Sequence, residues 1–175
     1  YDFQVLGGLW NNDYTLGLGW AGNIKNAGLK GELTYFHPKE SLADTSGVLS
    51  ASISSDYVFK SGVFGSFGLL YQSQGMNEKS PIATNLFAGE LSAKLLMPAK
   101  YSVLMSMTHS FSPIVNASLV GIWSPVLNSV FVMPSLGVSV SNAWEVALYG
   151  QTFWMETSEF ENLGNGVFFR LKGSF

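Results

Sequence analysis

Apolar and polar residues alternate along most of this chain with a period of two. The last segment, "NGVFFRLKGSF", is the clearest case. Val167, Phe169, Leu171, Gly173 and Phe175 fall on one side, and Phe168, Arg170, Lys172 and Ser174 on the other. That period is the mark of a pleated strand whose faces meet different surroundings. The same pattern recurs towards the N-terminus. Trp144, Val146, Leu148 and Trp154 oppose Glu145, Tyr149 and Gln151. Tyr101, Val103, Met105 and Met107 oppose Ser102, Ser106 and Thr108. Leu49, Ala51, Ile53 and Tyr57 oppose Ser50, Ser52, Ser54 and Asp56. Followed along the whole chain, it predicts about ten strands.

Composition changes how those strands are read. Of 175 residues, 47% are hydrophobic and only 12% are charged. The charged share is about half that of a soluble domain. From Tyr101 to Trp144 there is no Asp, Glu, Lys or Arg. A run of that length suggests a membrane, but Pro113, Pro125 and Pro134 cut it into pieces too short for helices of roughly 20 apolar residues. In hydrocarbon every backbone N–H and C=O must be paired, so strands cross only as closed barrels. The expected fold is therefore all-β: an antiparallel up-and-down transmembrane β-barrel in a single domain over 1–175. Its ten strands are either the complete barrel or the C-terminal part of a wider one.

Aromatics make up 14% of the chain, and many fall near strand ends on the apolar side. Tyr14, Trp20, Tyr35, Tyr57, Tyr71, Tyr101, Trp123, Trp144 and Trp154 are the predicted membrane-interface aromatics. Asp2, Lys30, Glu32, Asp56, Glu145, Arg170 and Lys172 point the other way, as lumen-lining charges. They either pair as the core of a filled lumen or line a water-filled pore. The connections divide by length. Those at 38–46, 75–100 and 156–166 are the expected long external loops, and the opposite set, which includes a turn over 22–28, is short. Ser80, Pro81 and Pro98 frame an expected short helix over 81–97. It either rests on the rim or folds inward to narrow the lumen.

Catalytic chemistry is poorly represented. There is no cysteine, hence no disulfide, thiolate nucleophile or Cys-ligated zinc. Two histidines, His37 and His109, make no metal-ligand cluster. A rim dyad of His37 with Glu40 or Asp44 is one reading, and an exposed loop histidine is the favoured one. Glu156, Glu159 and Glu161 are read as a solvated loop rather than a cation site. "GLGWAG", from Gly17 to Gly22, fits a dinucleotide fingerprint, but a strand runs through it. No cofactor and no metal are expected. A net charge of -3 gives no basic patch for nucleic acid. The chain begins at Tyr1 with no visible signal peptide and reads as a mature or truncated chain.

The C-terminal pattern of Val167, Phe169, Leu171 and Phe175 resembles bacterial outer-membrane β-barrel proteins. So does "LNSVFVMPSLGVSVSNAWEVALYGQTFW", which is similar to the penultimate hairpin of uncharacterised porin-like barrels of Gram-negative bacteria, where the matching region closes a longer chain. The resemblance implies an outer-membrane location, contact with outer-membrane lipid and lipopolysaccharide, and insertion by the barrel assembly machinery, with those four residues as its signal. It implies a porin-like or passive transport role and carries no catalytic residue across. The alternatives are a structural or accessory barrel docked to envelope protein partners, and a rim enzyme acting on lipid or peptide.

Overall fold

The alternation forms the strands it predicts. The structure is a computed structural model and describes residues 1–40, 47–78 and 92–174. Its strands are β1 (Asp2–Trp10), β2 (Asp13–Ile24), β3 (Ala27–Pro38), β4 (Val48–Val58), β5 (Phe64–Gln72), β6 (Tyr101–Ser112), β7 (Val115–Ser124), β8 (Ser129–Ser139), β9 (Trp144–Glu156) and β10 (Phe160–Gly173). They form one ten-stranded sheet in sequence order, each strand antiparallel to the next. The sheet is open, because β1 and β10 stand at its two edges. Among the described residues there is no helix.

The turns are set by residues that tolerate left-handed backbone. Asn11 (φ 50°) opens the β1–β2 turn, Lys25 (φ 55°) the β2–β3 turn, and Asn128 (φ 45°) closes the β7–β8 connection. A short polar side chain stabilises this conformation for the two asparagines. No such help is evident for Lys25.

Three boundary expectations change. The polar stretch 156–166 is not a long loop. β9 and β10 pair as far as Phe160–Glu156, and only 157–159 connect them. Side-chain bonds replace the missing apolar contacts there: Asn162 Nδ2 donates to Thr152 Oγ1 (2.9 Å), and Asn162 and Asn165 bond each other (3.1 and 2.7 Å). A ladder shift between Asn162 and Gly164 absorbs the extra residue as a bulge. The turn after "GLGWAG" is shorter than 22–28, since β2 runs on to Ile24 and pairs with Ala27. Of the helix expected over 81–97, residues 81–91 lie outside the described residues. Residues 92–97 are not helical. Ser92 and Leu95 exchange backbone hydrogen bonds in a tight turn. The loop 38–46 also falls largely outside the described residues.

Register assigns every strand residue to one of two faces. Trp20 and Gly31 lie directly opposite each other, and the indole covers the glycine so closely that a Cβ at position 31 would fall inside the ring. Glycine is required here by a close approach, not by φ. We expect Gly31→Val to cost about 1–3 kcal/mol by overpacking, read as a lower denaturant midpoint. The cost should largely vanish in a Trp20→Ala background, and equal costs in both would contradict the contact.

Candidate functional site

One face of the sheet is apolar and exposed. Leu16, Leu18, Ile53, Phe67, Leu69, Met105, Met107, Leu119, Leu136, Leu148, Val167, Phe169 and Leu171 all lie on it, and all are exposed. The nine predicted interface aromatics share that face. Tyr14, Tyr35, Tyr71, Tyr101, Trp123 and Trp154 run along one margin, and Trp20, Tyr57 and Trp144 lie towards the other. Within the first row, the Tyr71 and Tyr101 ring centroids are 5.4 Å apart.

The other face carries all seven predicted charges. Lys30 Nζ reaches Asp56 Oδ2 at 2.9 Å, and Arg170 Nη2 reaches Glu145 Oε1 at 2.6 Å, with its guanidinium 5.9 Å from the Tyr149 ring centroid. Gly28 makes room for the first pair, since a Cβ there would strike the Asp56 carboxylate. Serine hydroxyls bond across neighbouring strands: Ser66 to Ser106 (2.8 Å), Ser118 to Ser135 (2.7 Å) and Ser102 to Ser124 (3.1 Å). Gln72, fully buried, donates to Ser50 Oγ at 2.9 Å. Asp2, Glu32 and Lys172 share this face; no ion pair holds them among the described residues.

Two features of the polar face escape the alternation. The first is an apolar band. Leu70, Leu104, Val120, Ile122, Phe131 and Phe153 occupy positions where the period predicts polar side chains. The second is the segment 92–100, which lies over that band as a strap. Lys94 makes an ion pair with Asp13, whose side chain is only 7% exposed. Ala99 packs in a buried cluster with Leu127 and Met155, joined by Met76 and Phe153. Backbone bonds from Met76 N to Pro98 O (2.8 Å) and Lys100 N to Met76 O (3.0 Å) fix its base. Leu96 lines two hollows, of about 640 and 340 Å³. Sequence spacing held no signal for Lys94–Asp13, whose partners are far apart in the chain and joined only by the fold.

The remaining candidates are placed as follows. His37 lies on the apolar face, with its Nδ1 2.9 Å from Tyr35 Oη. Glu40 accepts a hydrogen bond from Asn12 Nδ2 at 2.6 Å, and Asp44 lies outside the described residues. His109 packs edge-on against Phe111. Glu156 accepts from Asn128 Nδ2 (2.6 Å) and Glu161 from Thr157, so both serve their turns. Among the described residues no three His, Asp or Glu side chains gather as a metal site. The assembly signal residues Val167, Phe169 and Leu171 share the apolar face of β10, and Phe175 lies outside the described residues. No protein-family model, curated protein or solved structure matches the chain.

Proposed function

We propose that the sheet is the wall of a bacterial outer-membrane β-barrel whose polar face lines a lumen for passive, porin-like transport. The carrying observation is the two-faced sheet. Ten strands of 9 to 14 residues present a continuous exposed apolar surface bordered by aromatics, while charges, serines and the strap share the opposite face. Soluble monomers rarely expose contiguous apolar patches beyond a few hundred Å². Transmembrane strands need about 9–11 residues, apolar outwards and flanked by aromatic girdles. Connection length supports the orientation. The connections 39–47 and 73–100 leave one margin, and the other has none longer than 59–63. In this reading the long connections face outwards, and lipid and lipopolysaccharide cover the apolar face.

Planar-bilayer recording of the refolded chain tests the transport role. Discrete conductance steps are expected, and their absence from a demonstrably inserted protein would remove the pore.

The apolar band and the strap favour a second reading, a filled barrel that serves as an accessory subunit of an envelope complex. Gentle detergent extraction would then bring down stoichiometric protein partners with it.

A further inference from the structure

The smaller hollow under the strap has a composition unlike the rest of the polar face. It has a volume of about 340 Å³, and its walls include Glu32, Trp10, Leu6, Phe36, Leu70 and Leu96. That volume is within the range of small-molecule sites, roughly 300–1,000 Å³. One carboxylate therefore stands among an indole and four large apolar side chains.

Charge pairing decides what the hollow attracts. The two cations nearest in the fold are already engaged, Lys30 by Asp56 and Lys94 by Asp13. Glu32 forms no ion pair among the described residues, and its side chain is exposed. Among the described residues the hollow thus keeps one uncompensated negative charge. Trp10, half exposed, adds aromatic surface to the far end of the same hollow, six register positions from the Glu32 row. Leu6 is 66% exposed there, although its position is one that alternation reserves for polar side chains. The buried Thr15 hydroxyl on the same wall has no hydrogen-bond partner among the described residues.

We propose that this hollow binds amphipathic organic cations, with the ammonium held at Glu32 and the alkyl or aryl body against Leu6, Leu70 and Leu96. This names a solute class for the lumen and rests on the transport reading above. Hydrophilic sugars lack the apolar body that these leucines and Phe36 would cover. Organic anions meet the free carboxylate.

The test is calorimetric titration of quaternary ammonium ions into the full chain in lipid discs, with empty discs as control. Binding should be saturable and at least about tenfold tighter for tetrabutylammonium than for tetramethylammonium, since the longer chains bury more methylenes. Glu32→Gln should weaken both by about fivefold, the scale of one solvent-accessible ion pair. Leu70→Ser should abolish the difference between the two ions. No saturable binding, or no dependence on chain length in the wild-type protein, overturns the proposal, as does unchanged affinity in Glu32→Gln. The titration reports the site whether or not the barrel conducts. Conductance steps without such binding would sink the inference and spare the pore. Binding without steps would do the reverse.

Discussion

Met105→Arg should prevent stable insertion of the chain into lipid vesicles, whereas Leu104→Arg, one residue away, should insert. Both residues lie near the middle of β6, on opposite faces. An arginine on the lipid side at the bilayer midplane costs about 2–4 kcal/mol, and one on the lumen side alters selectivity instead. Such a cost is a large fraction of the 5–15 kcal/mol that typically holds a domain together. The readout is the folded fraction after dilution from urea into vesicles, seen as the band that migrates anomalously without boiling. Equal insertion of the two variants would contradict the membrane reading. Failure of both would indicate that β6 tolerates no charge on either face.

Lys94→Met is the second large effect. It leaves the Asp13 carboxylate buried without its cation. Removing one partner of a fully buried pair costs about 3–5 kcal/mol, and the 32% exposure of Lys94 lowers the expectation to about 2 kcal/mol. That cost should appear as release of the strap, because Asp13 is fixed in β2 whereas residues 92–97 make few other bonds. Limited proteolysis should then cut near Lys100 or within 92–97 several times faster than in the wild type. If the sheet forms the proposed pore, the conductance of the variant should rise, since Leu96 would leave the two hollows it lines. The double change Asp13→Asn with Lys94→Met removes both charges and should restore much of the protection. Unchanged proteolysis in the single variant would show that the Ala99–Leu127–Met155 cluster alone holds the strap.

Much of this architecture was legible in the sequence. A period of two survives any uncertainty about neighbours, because successive side chains of a strand must point to opposite faces. It therefore located ten strands and placed Trp20, Tyr101 and Trp154 opposite Lys30, Asp56 and Arg170 before any pairing was known. It read the ends of elements less well. The "METSEFENLGNG" segment looks like a loop by composition, yet antiparallel pairing with β9 continues through it, because backbone hydrogen bonds do not require apolar side chains.

The candidate site divides in the same way. Glu32 and the charges of the Lys30–Asp56 and Arg170–Glu145 pairs were visible as residues that could not face lipid. Which of them pair depended on register, which sets Asp56 and Lys30 on adjacent strands and leaves Glu32 without an ion-pair partner among the described residues. The apolar band was invisible because Leu70, Leu104 and Val120 break the very alternation used to find the strands. The strap could not be foreseen either. Its Lys94–Asp13 contact spans most of the first half of the chain, and no local spacing encodes such a distance. Alternation and composition thus determined that the protein is a sheet with two unlike faces. Only the tertiary structure decided that a connection folds onto the polar face, because long-range contacts are chosen by the packing of whole elements and not by the residues beside them.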